Sequence, residues 1–187
     1  NPVVICGNEI VTSNALIEAA DFAITLGVPV YQQTVPYGSH FLSENPCFMG
    51  ALSRNQREVR SILEAFDLMI VLGADVLRMS VWDDVDPMPA DLPIIQIGLN
   101  DWEMGKNYPT EMAIGSDIRE TLRALTPVLK EAGGTALDVL AKERLKALLN
   151  KNWSTKRTKL THRISNEGSG IPINPDWLML QITEALP

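Results

Sequence analysis

The residues that could carry nucleophilic chemistry in this chain are His40 and Cys47, which lie in one loop. An imidazole beside a thiol can accept its proton and so produce the reactive thiolate. Such pairs work when a third side chain orients the histidine, and no candidate for that role is evident. The serine-nucleophile motif GxSxG is also absent. We therefore favour a structural role for both residues and predict that the chain has no catalytic residue.

Three acidic residues, Asp83, Asp84 and Asp86, share another loop and could together bind a metal ion. The loop lacks the Asp/Asn and Gly spacing of a calcium-binding loop, and two prolines follow it closely. We therefore expect a solvated acidic loop and predict no metal site. Arg78 lies in the same loop, and its guanidinium could pair with a phosphate or with a loop aspartate.

Polar turns that follow apolar strands are the best candidates for a ligand site. Residues 68–72 and 93–97 are short apolar runs, and each leads into a polar turn. Turns at the carboxyl ends of parallel strands often bind nucleotides. Gly7 follows the first strand in the same way, but Gly7-Asn8-Glu9 lacks the later glycines of the dinucleotide motif GxGxxG, and no P-loop is present. Gly7 is then either a point of close ligand approach or an ordinary turn glycine.

Strands and helices alternate along the chain, and this order positions the turns. Strands are predicted at residues 2–6, 28–31, 68–72 and 93–97, with a short edge strand at 111–114. Helices are predicted at residues 12–26, 55–66, 117–131, 136–151 and 175–186, with a single turn at 101–105. The segments 32–54 and 74–92 are expected to be long loops. The alternation indicates a doubly wound α/β fold, whose mostly parallel, Rossmann-like sheet is flanked by helices.

A pair of glycines, Gly133 and Gly134, divides the chain. We predict a central domain over residues 1–133, a basic helical linker over residues 134–170 that loosens toward its end, and the start of a following domain over residues 171–187. Eight of the sixteen lysines and arginines lie within residues 142–163. This segment is either a solvated helix or a contact surface for an acidic partner or another part of the same enzyme.

The composition restricts the class of protein. A chain of 187 residues with 45% hydrophobic residues can form a packed core, and its net charge of −7 argues against nucleic-acid binding. No apolar run approaches the roughly 18 residues that span a membrane. Two cysteines make no disulfide framework, which favours a reduced, cytoplasmic setting. The chain begins Asn-Pro-Val without a Met, which suggests an excised fragment.

Several segments, taken in order, carry a family resemblance. They are PVVICGNEI (residues 2–10), GVPVY (27–31), PYG (36–38), NPCFMG (45–50), FDLMIVLGA (66–74), IIQIGLNDWEMGKNYPTEMAIGSD (94–117) and GIPINPDWLMLQITEALP (170–187). This ordered set resembles the central domain of thiamine diphosphate-dependent enzymes, the superfamily of acetolactate synthase, pyruvate oxidase and benzoylformate decarboxylase. The segment 94–117 is the strongest match, and 45–50 is closest to the benzoylformate decarboxylase type.

The resemblance implies an enzyme of three α/β domains, of which this is the central one. In the family, the first domain supplies a glutamate that activates the cofactor, and the third binds diphosphate and magnesium through a GDG…N motif. Gly-Asp-Gly does not occur in this chain. The resemblance therefore implies a fragment that neither binds thiamine diphosphate nor catalyses alone. Its partners would be the N-terminal and C-terminal domains of the same chain, within a homodimer or homotetramer.

Some members of the family bind FAD or ADP at the strand ends of this domain. Carried over to this chain, the ligand would contact Gly7, Asn8, Thr34, Pro36, Gly38, Gly73, Ala74 and Asn100. Flavin-binding members usually carry an arginine- and aspartate-rich turn after the third strand, whereas here Met79 and Ser80 follow Arg78. Leu99 and Asn100 replace the family's acidic pair after the fourth strand, so hydrogen bonding to a ribose is weakened. An empty central domain is the expectation.

Three functions compete. The first, which we favour, is the central structural domain of a thiamine diphosphate-dependent 2-keto acid decarboxylase or lyase. The second is the FAD- or ADP-binding central domain of an acetolactate synthase- or oxidase-type carboligase. The third is a stand-alone, sirtuin-like nucleotide-binding regulator. That class needs a GAG-type loop, a catalytic histidine and often a zinc module, and this chain lacks such a loop and has only two cysteines.

Overall fold

The computed structural model describes residues 1–186 of the chain. The strands are β1 (Pro2–Cys6), β2 (Val30–Gln32), β3 (Phe48–Ala51), β4 (Leu68–Leu72), β5 (Ile94–Gly98) and β6 (Met112–Gly115). The helices are α1 (Glu9–Thr12), α2 (Leu16–Leu26), α3 (Gln56–Leu63), α4 (Ile118–Leu148), α5 (Trp153–Glu167) and α6 (Pro175–Ala185). A single 3-10 turn, Asp101–Glu103, follows β5.

The strands form one sheet in the order β3-β2-β1-β4-β5-β6, and every neighbouring pair is parallel. The chain moves outward from β1 to β3, returns to place β4 beside β1, and then moves outward in the opposite direction. The doubly wound α/β prediction is confirmed, and the sheet is parallel throughout. Because the strand order reverses between β1 and β4, the loops that follow these strands diverge and leave a crevice.

The central strands of the sheet are buried on both faces. Val4 and Leu72 belong to a core that includes helix α2 and the start of α4. Val3 and Met69 point to the opposite face and belong to a core that includes helix α3. Side chains alternate between the faces of a strand, so a sheet covered on both sides needs apolar residues at every position. This explains the continuous apolar runs from which the strands are predicted.

The first helical region differs from its predicted form. The sequence predicts one helix over residues 12–26, whereas the structure has two, α1 and α2. The chain turns between them at Asn14, whose backbone is left-handed (φ 51°). Asparagine adopts this conformation more readily than most non-glycine residues. Helix α1 begins two residues after Gly7, which directly follows β1, so Glu9 lies at the carboxyl edge of the sheet.

The predicted loop over residues 32–54 contains a strand, so this prediction is wrong in part. The edge strand β3 is only four residues long and includes Gly50, which weakens any strand signal. Helix α5 lies along it: the Trp153 ring meets the Phe48 ring edge-on at 6.4 Å between centroids. The Lys156 ammonium donates to the Met49 carbonyl oxygen over 3.2 Å. The exposed edge of the sheet is thus partly covered.

The C-terminal region is more helical than predicted. The break at the glycine pair is confirmed as a kink, since Gly134 has φ 49° and ψ −147°, but helical structure continues on both sides of it. Residues 153–167 form α5, where the sequence predicts a loosening chain. Asn152 begins this helix by accepting a hydrogen bond from the Thr155 amide. Residues 171–173 form a turn, and the Asn174 side chain caps the last helix by accepting from the Asp176 amide over 2.9 Å.

The helices after the kink pack back onto the sheet domain. Ala141 is buried, and its carbonyl oxygen lies so close to Gly27 that a Cβ there would be 2.4 Å away. The Arg144 guanidinium donates to the Leu26 carbonyl oxygen over 3.1 Å. The predicted boundary between a domain at residues 1–133 and a linker at residues 134–170 stays a prediction.

Candidate functional site

A cleft of about 530 Å³ opens at the carboxyl ends of β1, β4 and β5. Its walls come from the three turns that follow these strands, with Gln33 and Tyr37 from the loop after β2 on one side. All of these turns lie at one edge because the strands are parallel. The cleft coincides with the point where the strand order reverses, which is the usual ligand position in open α/β sheets.

Four of the eight residues predicted to contact a nucleotide line this cleft: Asn8, Gly73, Ala74 and Asn100. They belong to all three of the turns that form the walls. The position of the cleft could therefore be predicted from the sequence, because glycines and polar residues follow the apolar strands there. Whether these residues contact a ligand stays a prediction.

Gly7 lies beneath the cleft and has a packing role. A Cβ at this position would lie 2.3 Å from both the Ala74 Cα and the Gly73 carbonyl oxygen. Real side chains do not approach backbone atoms this closely. The absent side chain at Gly7 therefore lets the loops after β1 and β4 touch at the base of the cleft.

The other predicted residues, Thr34, Pro36 and Gly38, are not among those that line the cleft. Thr34 is buried, and its hydroxyl donates to the Arg78 carbonyl oxygen over 2.8 Å. Pro36 and Gly38 are exposed on either side of Tyr37, which does line the cleft. The turns that follow β1, β4 and β5 therefore meet at the cleft, whereas Thr34, Pro36 and Gly38, in the loop after β2, do not line it.

Two glutamine side chains hold the walls of the cleft and were missed by sequence reasoning. Gln33 donates to the Val35 carbonyl oxygen over 2.9 Å, and its own side-chain oxygen accepts from the Asp75 amide over 3.3 Å. Gln96 is buried on β5, where its side-chain oxygen accepts from the Gly105 amide and the Thr110 hydroxyl. Buried amide side chains that are hydrogen-bonded in this way fix loops in place.

Glu9 is the most informative residue that the sequence did not single out. One carboxylate oxygen accepts from the Leu99 amide over 2.6 Å, and the other accepts from the Asn100 amide over 3.3 Å. The side chain therefore bridges the turn after β1 and the turn after β5. The sequence features that could have pointed to this role are the acidic residue after the turn at Gly7 and the glycines at the ends of β4 and β5, Gly73 and Gly98.

Arg78 is paired with an aspartate of its own loop, Asp75, and is not free to bind a phosphate. Its guanidinium forms an ion pair with Asp75 over 2.9 Å and donates to the Tyr37 hydroxyl over 3.3 Å. Three carboxylates line the cleft, from Glu9, Asp75 and Glu103, against this one guanidinium. An anionic ligand would thus meet an excess of negative charge, and the one cation already has a carboxylate partner.

His40 and Cys47 do not form a nucleophilic pair. Both are buried, and burial raises the pKa of the Cys47 thiol to about 12, so the thiol stays protonated at neutral pH. Burial lowers the pKa of His40. Neither ring nitrogen of His40 has a hydrogen-bond partner within the described part of the chain. The structural role of both residues stays a prediction.

The acidic loop is held by an arginine. Asp83 and Asp84 both form ion pairs with Arg57, the first over 3.0 Å. The Asp86 carboxylate accepts from the Met88 amide over 2.9 Å. Among residues 1–186, no group of three or more histidine, cysteine or acidic side chains is placed to hold a metal ion.

The basic segment is only partly a solvated face. Arg144 and Lys156 bond to main-chain carbonyl oxygens of the sheet domain, and Arg157 lies 3.6 Å from the Glu44 carboxylate. These cations therefore help to attach α4 and α5. Across the described residues, no helix is both long enough and apolar enough to cross a membrane.

The chain is similar to thiamine diphosphate-dependent enzymes in both sequence and structure. It is 29% identical to benzoylformate decarboxylase from Pseudomonas aeruginosa, over 67% of this chain and 24% of that protein. It is also 29% identical to the acetolactate synthase large subunit of Cyanidium caldarium, over 70% of this chain and 22% of that one. The chain therefore spans about a quarter of the length of the curated relatives it matches.

Solved structures give the same relationship. The chain superposes on the thiamine diphosphate-dependent 4-hydroxybenzoylformate decarboxylase of Rhodococcus jostii RHA1 with a TM-score of 0.63 and 26% identity, covering 68% of this chain and 24% of that one. The family model described as "Thiamine pyrophosphate enzyme, central domain" matches residues 1–125. This match covers most of the chain and all six strands. The chain therefore belongs to the family of thiamine pyrophosphate enzymes, as their central domain.

Proposed function

We propose that this chain is the central structural domain of a thiamine diphosphate-dependent 2-keto acid decarboxylase or lyase of the benzoylformate decarboxylase type. Two of the relatives with this similarity are named for decarboxylation of benzoylformate or its 4-hydroxy derivative. The resemblance of residues 45–50 to the same type supports the proposal from the sequence side. Benzoylformate and related aryl 2-keto acids are the substrates to test first.

We further propose that the cleft at the strand ends holds no nucleotide. The observation that carries this proposal is the charge of the cleft, with three carboxylates and one guanidinium that is already paired. A nucleotide diphosphate would have to approach Glu9, Asp75 and Glu103 with no unpaired cation among the lining residues to compensate. The turn after β5 presents Leu99 and Asn100, which lack a carboxylate for a ribose hydroxyl.

A second candidate is the FAD- or ADP-binding central domain of a carboligase. The similarity to an acetolactate synthase large subunit favours it, at the same identity as the decarboxylase. In that case Asn8, Gly73, Ala74 and Asn100 would contact the nucleotide across the cleft. The family membership supports both candidates over the stand-alone, sirtuin-like regulator.

The residues of this chain do not fit thiamine diphosphate and magnesium. The sequence has no Gly-Asp-Gly, and the three neighbouring aspartates that could have held a cation are engaged by Arg57 and a main-chain amide. We propose that both groups are bound by the N-terminal and C-terminal domains of a full-length enzyme. This chain would then be inactive alone and would act in a homodimer or homotetramer in the cytoplasm.

Helix α6 supports the proposed attachment to a following domain. Four of its apolar side chains are exposed: Leu178, Met179, Ile182 and Leu186, the last at its C-terminal cap. Apolar surface of this kind is normally covered by a neighbouring domain. Residues 171–187, which the resemblance assigns to the start of the next domain, contain all of these side chains.

The experiment is to purify the full-length protein and measure two properties. We expect decarboxylation of benzoylformate that depends on added thiamine diphosphate and magnesium, and no flavin absorption or released nucleotide after denaturation. Carboligation of pyruvate together with bound FAD or ADP would favour the second candidate. An active protein of residues 1–187 alone would contradict the proposed division of roles.

A further inference from the structure

We propose that Glu9 is an internal ligand of the cleft, whose carboxylate occupies the main-chain donors that the ribose of a nucleotide would otherwise use at the turn after β5. This role of Glu9 rests on the proposed function, because it assumes that the cleft holds no nucleotide. It identifies the residue that excludes the nucleotide and the main-chain donors for which the two would compete.

The first observation is the hydrogen bonding of the Glu9 carboxylate. Its two oxygens accept from two successive main-chain amides, those of Leu99 over 2.6 Å and Asn100 over 3.3 Å. Successive amides that point toward one position form an anion-binding concavity. The donors therefore exist in the fold, and a carboxylate from the same chain already accepts from both.

The second observation is that two glycines make room for this side chain. A Cβ at Gly98 would lie 3.0 Å from each carboxylate oxygen of Glu9, and a Cβ at Gly73 would lie 2.2 Å from the Glu9 Cβ. Gly73 also has a positive φ of 57°, which disfavours other residues there. The side chain of Glu9 thus lies in a slot formed by the ends of β4 and β5, and its position is built into the fold.

The third observation is the remaining charge of the cleft. Asp75 pairs with Arg78, and Glu103 pairs with Lys106 over 2.9 Å. Among the acidic side chains that line the cleft, Glu9 is the one whose oxygens accept from the main chain of the β5 turn. Removing Glu9 would remove one negative charge and release two amide donors, whereas removing Glu103 would remove one negative charge and free the Lys106 ammonium but release no amide.

The structure therefore assigns a specificity role to one residue. With Glu9 present, a nucleotide must displace a tethered carboxylate, and the negative charge of that carboxylate repels the nucleotide's phosphates, so both effects oppose binding. Without it, the amides of Leu99 and Asn100 become available to a ribose oxygen. The ligand class that Glu9 excludes is a nucleotide whose ribose would lie at the turn after β5.

The test is calorimetric titration of the full-length protein with ADP, comparing the wild type with Glu9→Ala, Glu9→Gln and Glu103→Ala. We expect Glu9→Ala to bind ADP about tenfold more tightly than the wild type or better, the change expected for one regained hydrogen bond together with the loss of one repulsive charge. Glu103→Ala is the matched control: it removes one carboxylate and frees the Lys106 ammonium but releases no main-chain amide, so its gain in ADP affinity should be smaller than that of Glu9→Ala. Circular dichroism checks that each variant is folded.

Equal ADP affinity in wild type and Glu9→Ala would overturn the proposal, and so would an equal gain in Glu103→Ala. If Glu9→Ala does not fold, Glu9→Gln decides, because it removes the charge and keeps the shape: tighter binding supports the proposal and unchanged binding overturns it. Weak binding by every variant would reject only the role of Glu9. Tight binding by the wild type would also reject the proposed empty cleft.

Discussion

The packing of Gly7 against the loop after β4 allows a quantitative prediction. In Gly7→Ala the added Cβ would lie 2.3 Å from the Ala74 Cα and the Gly73 carbonyl oxygen, and 2.6 Å from the Ala74 Cβ. Two of these three neighbours are backbone atoms, which cannot rotate away as a flexible side chain can. The loops after β1 and β4 must therefore separate, at the point where the sheet reverses its strand order.

The expected cost follows from the nature of this contact. Overpacking by a methyl group costs about 1–3 kcal/mol, and a backbone contact this short belongs at the upper end, so we expect about 3 kcal/mol. For a chain of this size a loss of about 3 kcal/mol lowers Tm by roughly 6–12 °C. The cleft above Gly7 should widen, because its two central walls are the loops that move.

Gly38→Ala is the matched control for this prediction. Gly38 is exposed, and a Cβ there would meet no atom within 4 Å. Its free energy of unfolding should stay within about 0.5 kcal/mol of the wild type. Urea unfolding followed by far-ultraviolet circular dichroism measures both variants. A Gly7→Ala protein as stable as Gly38→Ala would refute the reasoning that close packing of these loops requires glycine.

Two further predictions concern the covered sheet edge and a buried histidine. Trp153→Ala should lower the free energy of unfolding by about 2–3 kcal/mol, because the half-buried ring packs on Phe48; urea unfolding measures it, and the exposed Trp102 replaced by Ala should change little. Hydrogen exchange at β3 should accelerate in Trp153→Ala, and unchanged exchange would contradict the covering role of α5. Burial lowers the pKa of His40 from its ordinary value of 6.5, so the unfolded chain binds the proton more readily and stability is lost as pH falls below about 6.5. His40→Leu should reduce this loss in urea midpoints measured between about pH 5 and pH 7.5, and equal slopes in both proteins would argue against it.

The charge of the cleft depends on a few loop residues, although the position of the cleft is fixed by the fold. The cleft lies where the strand order reverses, and this position follows from the sheet topology. The charges that surround the cleft come from a few loop residues. In this chain those residues are Glu9, Asp75, Arg78 and Glu103, and three of the four are acidic. This charge distribution and the main-chain contacts of Glu9 are the basis on which we propose a cleft without a nucleotide.

Strand prediction succeeded where burial on both faces left a continuous apolar run. β1, β4 and β5 are confirmed within one residue at each end, because each is a β-branched or leucine-rich segment that ends at or just before a glycine. β3 was missed because a four-residue strand with an internal glycine has no such pattern. It forms because β2 offers hydrogen bonds on one side and α5 covers the other.

The helix at residues 153–167 was missed for a related reason. Its sequence is polar and basic, with scattered apolar positions such as Leu160 and Ile164. Such a segment forms little helix by intrinsic propensity and gains its stability from contacts. Here those contacts are the Phe48 ring, the Met49 carbonyl oxygen and the Pro46 carbonyl oxygen, all far away in the sequence.

The sequence by itself determined the fold class, the family and the edge of the sheet where a ligand could bind. Local patterns suffice for the fold class and the sheet edge, because apolar runs, glycine turns and capping residues act within a few positions of one another. The family was identified by the resemblance of an ordered set of segments along the chain. Only the tertiary structure decided which side chains meet in the cleft. Glu9 and the amides of Leu99 and Asn100 are about 90 residues apart and come together because β1, β4 and β5 lie side by side with their carboxyl ends at one edge. No local pattern encodes that contact, which depends on strand order and on two glycines that leave room for one carboxylate.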